Sequence, residues 1–320
     1  MKLVLRLYFR KIRIEGIANI PKDTPLLVAP NHQNAFLDAL LVGVFIPNTL
    51  HFLTRSDVFV RWSRPFFRLL NMIPIYRMRD GYAKLSLNDQ VFQSCYDLFK
   101  AGKSVLIFPE GNHGQAHYLR PLTKGAARIA LRSQVELEND LMILPVGLNY
   151  FSHQSPRSTV LIAYGEPIPV KEYVALFEQS NAKGLNQLRD RISMEMKKTL
   201  AIPDSINYEE RKSAVFKREH EHYSLKELRS IESQLSSNSK RRKPKLFARL
   251  LNPLPYLILH AVLSKVDDIV FHSSLKLAIG IFVFPLWWVL IFTVLSFQFG
   301  TPIASLTVIV MVLGLFYSYD

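Results

Sequence analysis

Three short clusters in this chain have the residue types and spacing for chemistry. The first is Asn31-His32-Gln33-Asn34-Ala35-Phe36-Leu37-Asp38, straight after the apolar run Pro25–Ala29. A histidine there can take a proton near neutral pH. A nearby carboxylate can orient the imidazole and stabilise its charged form. On an ideal helix six residues turn about 600°, so His32 and Asp38 would not share a face. The spacing therefore puts His32 in a loop or first turn ahead of Asp38. Taken alone, the pair is a weak signal, and a capping or core histidine is the ordinary reading of it. The second cluster is Ile73-Pro74-Ile75-Tyr76-Arg77, where Arg77 fits a phosphate fork or an ordinary surface position. The third is Phe108-Pro109-Glu110-Gly111-Asn112-His113. Glu110 falls at the end of an apolar run, and Gly111 allows close backbone approach to a ligand. Downstream, Arg120 and Lys124-Gly125 offer cations and helix N–H groups to an anion.

The elements that must position these residues alternate. Pro25–Ala29, Ser104–Phe108, Met142–Val146 and Val160–Ala163 are apolar runs bounded by turn residues, and read as buried strands. Ala35–Val44, Lys84–Lys100 and Lys124–Ser133 read as helices, with Cys95 on the core side of the second. The expected fold is an α/β domain with a mixed, mostly parallel sheet and flanking helices.

Together and in this order, the motifs resemble the PlsC-like glycerolipid acyltransferase family. The resemblance covers roughly residues 15–200 and rests on Asn31-His32 with Asp38, Ile75-Tyr76-Arg77, Phe108–Gly111 and Leu144-Pro145-Val146. It implies that His32 is the general base and Asp38 its orienter. It also implies that Arg77, Glu110 and Gly111 belong to the acceptor site. Two departures stand out. The family usually spaces its His and Asp by four intervening residues, and here five intervene. The family's Glu-Gly-Thr-Arg is here Glu-Gly-Asn-His, so His113 replaces a phosphate-binding Arg, for which Arg120 or Lys124 can compensate.

Composition narrows the partners. Lys and Arg total 40 against 26 Asp and Glu, a formal net charge of +14, yet 49% of the residues are hydrophobic. Such a balance suits an anionic partner and a segregated apolar region. One cysteine excludes a disulfide framework. No residue from Leu277 to Tyr319 is charged, and the run breaks at Gln298–Thr301. Residues 275–297 and 302–317 are expected to be two transmembrane helices joined as a hairpin. Lys240, Arg241, Arg242, Lys243, Lys245 and Arg249 lie just upstream, which puts that side in the cytosol. Residues 1–14 are expected to form an interfacial helix with a basic stripe of Lys2, Arg6, Arg10 and Arg13. Residues 201–245 read as a solvated helix and linker, and 246–320 as the membrane region. Arg61, Arg64 and Arg68 beside large apolar groups suggest a further surface on the bilayer.

The resemblance implies acyl transfer from acyl-CoA or an acyl-carrier protein to a hydroxyl of lysophosphatidate, at a cytosolic membrane face. No cofactor and no metal is expected, nor a nucleic-acid partner. Glycerol 3-phosphate and an aminoacyl lyso-lipid are alternative acceptors. A zinc hydrolase using His113 and His117, and a non-catalytic lipid-binding protein, are the readings of another class.

Overall fold

The computed structural model describes residues 1–59, 64–76, 88–231 and 246–317. Helix α1 (Lys2–Tyr8) turns at Phe9 into strand β1 (Lys11–Glu15). Strand β2 (Leu26–Pro30) leads to α2 (Phe36–Phe45). Strand β3 (Leu50–Arg55) leads to α3 (Arg64–Leu69) and β4 (Met72–Ile75). Helix α4 (Asn88–Lys100) precedes β5 (Ser104–Leu106), and α5 (Gly125–Glu136) precedes β6 (Met142–Tyr150). Then come β7 (Thr159–Tyr164), β8 (Ile168–Pro169), α6 (Val174–Gln179) and α7 (Asn181–Lys198). The described residues form one sheet in the order β1-β7-β6-β2-β5-β3-β4, with β8 beside β6. Every pairing is parallel except β6 with β7 and β6 with β8. The sheet is thus mixed and mostly parallel, as the run pattern implies.

Both faces of the sheet are covered, which explains why β2 reads as an unbroken apolar run. Its residues alternate: Leu27 and Ala29 join Phe99, Ile129, Ile143 and Leu188 on one face. Leu26 and Val28 join Leu5, Phe9, Leu41, Leu148 and Ile162 on the other. Cys95 lies in the first of these cores, where burial pushes its thiol up to about 12.

Two boundaries differ from expectation. The N-terminal helix stops at Tyr8, and residues 11–15 run as a strand along β7, Lys11 opposite Thr159 and Glu15 opposite Ala163. Lys11-Ile12-Arg13-Ile14-Glu15 alternates as an edge strand does, so Arg10 and Arg13 leave the supposed helical stripe. Leu5 and Phe9 are core residues. Nor is the segment after residue 200 simply solvated. Ala201, Ile202, Val215 and Leu228 pack with Leu161 as a third buried cluster, bracketed by α8 (Tyr208–Val215) and α9 (Leu225–Ser230).

The C-terminal region is mostly helical over its described length. Helix α10 (Leu246–Leu251) and α11 (Pro253–Leu263) divide at Asn252, with Pro253 at a first-turn position where its missing N–H costs nothing. Helix α12 (His272–Phe299) continues through Pro285, and α13 (Thr301–Tyr317) follows Gly300 at φ +82. The expected break at 298–301 has narrowed to that glycine. Helix α13 packs against α12 and α10. Trp288 lies mid-helix because its indole N–H donates to Asn252 at 2.8 Å. Among the described residues, the stretch Ile269–Phe299 is long and apolar enough to cross a membrane, and Phe282, Leu286 and Val289 on it are exposed.

Backbone crosses β6 closely at Gly147, where a Cβ would meet the Thr199 carbonyl oxygen at 2.0 Å. Gly147→Ala should cost about 3 kcal/mol or more, because the obstacle is backbone. Gly125→Ala, which meets only ordinary contacts, should leave the thermal unfolding midpoint nearly unchanged. Melting curves of the two variants check both.

Candidate active site

Strands β2, β5 and β6 are parallel neighbours, so their C-terminal ends reach the same sheet edge. Ligand sites of open α/β sheets form there. His32 follows β2 by two residues, Glu110 follows β5, and Tyr150 ends β6. Asn31 clamps the edge: its amide donates to the Leu148 carbonyl at 3.2 Å and accepts from the Leu148 N–H at 2.7 Å.

Asp38 lies in the first turn of α2 and is fully buried. Its Oδ2 accepts from the Gln33 and Asn34 N–H groups at 2.7 Å each, and lies 2.9 Å from His32 Nδ1. Tyr150 donates its hydroxyl to the other oxygen, Oδ1, at 2.6 Å. Four donors thus surround one buried carboxylate. The loop brings His32 back over Asp38 by holding Ala35 at φ +45, a costly conformation for alanine. This curl accommodates the fifth intervening residue. With Nδ1 bound to Asp38, Nε2 is the nitrogen left to act. It has no hydrogen-bond partner among the described residues.

The His32 ring is held on both sides. Phe108 stacks on it at 3.7 Å between centroids, and His113 meets it edge-on at 5.5 Å. Glu110 is buried beneath it and accepts the His32 N–H at 3.3 Å. Arg120 pairs with Glu110 and donates to the side chain of Asn112 at 2.6 Å and to the His32 carbonyl at 3.1 Å. Gly111 turns the chain at φ +75, where a Cβ would press on Thr123 at 3.0 Å. Thr123 bonds the Pro109 carbonyl through its N–H and its hydroxyl, at 2.8 and 2.9 Å. Lys124, at the start of α5, is thereby fixed beside the Glu110 turn.

Electrostatics favour a neutral imidazole. Burial lowers the His32 pKa below 6.5, although Asp38 pulls it upward. Burial raises Glu110 to about 7, against the pull of Arg120. Burial and the Asp38 charge both hold the Tyr150 hydroxyl protonated, well above its usual range.

The structure thus brings together His32, Asp38, Glu110, Gly111 and Arg120, with Lys124 alongside. Arg77 lies outside the described residues, as do residues 61–63 and 232–245. His113 and His117 do not converge on one ligand point. His113 bonds Asp268 at 2.8 Å. His117 is buried between the Tyr208 hydroxyl and the Tyr150 carbonyl, at 2.9 and 3.1 Å. The sequence reading missed Tyr150. A polar-tipped aromatic closing an apolar strand was its only signal.

The sequence has counterparts in known proteins. Residues 11–149 match the family model described as Acyltransferase. That segment matches an acyltransferase domain, in keeping with the motif resemblance. Over 132 residues the chain is 31% identical to the chloroplastic 1-acyl-sn-glycerol-3-phosphate acyltransferase LPAT1 of Arabidopsis thaliana, covering 40% of this chain and 34% of that protein. Over 188 residues it is 32% identical to glycerol-3-phosphate O-acyltransferase 2 of Saccharomyces cerevisiae, covering 56% of this chain and 25% of that one. It therefore spans about a third of the first relative's length and a quarter of the second's. The crystal structure of PlsC, the 1-acyl-sn-glycerophosphate acyltransferase of Thermotoga maritima, superposes with a TM-score of 0.40 and 18% identity, covering 59% of this chain and 73% of that one.

Two measurements test this geometry without any substrate. Tyr150→Phe removes one donor from a buried carboxylate and should cost about 1–3 kcal/mol in denaturant unfolding. His153, whose Nε2 donates to Gln33 at 2.9 Å, is held by burial down to about 4. Unfolded, it takes a proton near pH 6.5, so between pH 6.5 and 4 the unfolded chain binds the extra proton and stability falls with pH. His153→Gln should flatten that fall by about 1.4 kcal/mol per pH unit. Glu110, raised to about 7, titrates in the opposite sense, but identically in both proteins.

Proposed function

We propose that this protein is a membrane-bound glycerolipid O-acyltransferase that moves a fatty acyl group from acyl-CoA or an acyl-carrier protein to the hydroxyl of lysophosphatidate. The observation that carries the proposal is the 2.9 Å contact between His32 Nδ1 and the four-donor Asp38, with Nε2 left open. The acceptor hydroxyl attacks the thioester carbonyl while Nε2 takes its proton. Asp38 holds the imidazolium that results. The tetrahedral intermediate then collapses, the carbon–sulfur bond breaks, and the thiolate leaves with the proton returned by His32.

Glycerol 3-phosphate is the second acceptor. The yeast relative's match, longer than the Arabidopsis one, favours it. Both acceptors carry phosphate. Lys124, with the α5 N-terminus behind it, and Arg77 are the cations we assign to that group. Glu110 and Arg120 meet protein groups in the Glu110 turn, and we assign them to holding His32 rather than to direct contact with the acceptor. Residues 246–320 serve as the membrane region, with α12 and α13 as a transmembrane hairpin and the acyltransferase domain on the cytosolic face. The apolar exposed face of α12 and the basic run ahead of α10 support this topology.

His32→Ala should reduce kcat by about 10² to 10⁴. Lys124→Ala should raise the acceptor KM and leave the donor KM alone. Because burial lowers the His32 pKa, the acid limb of kcat/KM should fall below pH 6.5, with activity present above it and lost as the base is protonated. Detergent-purified protein, offered both acceptors and a radiolabelled acyl thioester, checks all three. Turnover by His32→Ala within threefold of the parent is incompatible with the mechanism.

A further inference from the structure

The segment matching the family model ends at residue 149, yet the loop that carries His32 is completed from elsewhere. Helix α2 has no side-chain cap of its own, since Ala35 sits at the capping position. Ser274, in the first turn of α12, accepts the Leu37 N–H at 3.2 Å and donates to the Asn34 carbonyl at 3.4 Å. Ser273, fully buried, donates to the His153 carbonyl, which also accepts from the Asn34 side chain at 3.2 Å. Asp268, just ahead of α12, holds His113, and Phe271 meets the His113 ring edge-on at 5.0 Å. Lys276 donates to the Gln154 carbonyl at 2.7 Å, and Tyr8 to the Ser273 carbonyl at 3.2 Å.

These ties converge on one place. Gln33 and Asn34 supply two of the four donors to Asp38, and Leu37 precedes it. The Ser274 hydroxyl holds the backbone at Asn34 and Leu37, and the Ser273 hydroxyl shares the His153 carbonyl with the Asn34 side chain. His113, which flanks the His32 ring, is fixed by Asp268. A strand-to-helix loop carrying a capless, strained turn needs outside support to hold a base in register.

We propose that Ser273 and Ser274 are positioning residues for the His32–Asp38 pair, so that docking of the first turn of α12 completes the active site. The proposal rests on the acyl-transfer function assigned above. A helix serving only as an anchor would need no hydroxyls aimed at the catalytic loop.

The test uses the full chain in detergent, comparing Ser273→Ala/Ser274→Ala, Ser274→Ala and Ser274→Thr. The double variant should lose about tenfold or more in kcat, with both KM values within twofold. Ser274→Thr, which keeps the hydroxyl, should recover most of the single-variant loss. Amide exchange should accelerate about tenfold in a peptide spanning residues 31–38 and stay unchanged in one spanning 142–150. Retained kcat with unchanged exchange at 31–38 overturns the proposal. So does a general rise in exchange with raised KM values, which marks a role in overall stability only. Failure of the acyl-transfer reading is separable, because it appears as full activity in His32→Ala while the exchange measurement still reports on the docking.

Discussion

A single buried carboxylate organises this site. Asp38 is removed from water, which for an isolated charge is prohibitive, and its cost is offset only because four donors converge on it. Those donors fix most of the local architecture. The Gln33 and Asn34 amides dictate the curl of the loop, the Tyr150 hydroxyl ties the helix to the end of β6, and His32 takes its orientation as the fourth. No donor can move far without leaving the charge exposed to an apolar interior. The same requirement makes the imidazole ring stand on Phe108 with one nitrogen outward.

The parallel sheet provides the rest. Adjacent parallel strands deliver three chain segments to one edge with fixed spacing, so residues 32, 110 and 150 meet without contact along the sequence. Glu110 extends this logic. It braces the His32 backbone from below while Arg120 compensates its charge. The motif glutamate therefore supports the His32 backbone, and Gly111 allows the tight return of the chain over Thr123.

Much of this was legible in the sequence. The buried strands announced themselves as unbroken apolar runs, and the His32–Asp38 spacing demanded a loop. The misreadings have physical causes. Lys11–Glu15 is an edge strand whose charges alternate with isoleucines, and charges at spacings of three and four mimic a helical stripe. Ala201, Ile202, Val215 and Leu228 are scattered among charged residues, so no local period reveals that they cover Leu161. His117 looked like half of a metal pair because its partner, Tyr208, is 91 residues away. Tyr150, Ser273 and Ser274 were invisible for the same reason: a hydroxyl's role depends on which distant group it meets, and chain order does not encode that at short range.

The tie from Leu37 to Ser274 crosses 237 residues. A ribosome adds about 5–20 residues each second, so roughly 10 to 50 s separate synthesis of the two ends of that hydrogen bond. The sheet and its first core are complete in sequence long before α12 emerges, whereas the second core waits for Leu277 of α12 itself. During that interval helix α2 lacks its outside cap. The loop between His32 and Asp38 is tied down by the same stretch of chain that is long and apolar enough to cross a membrane, so its last support is also among the last parts of the chain to be made.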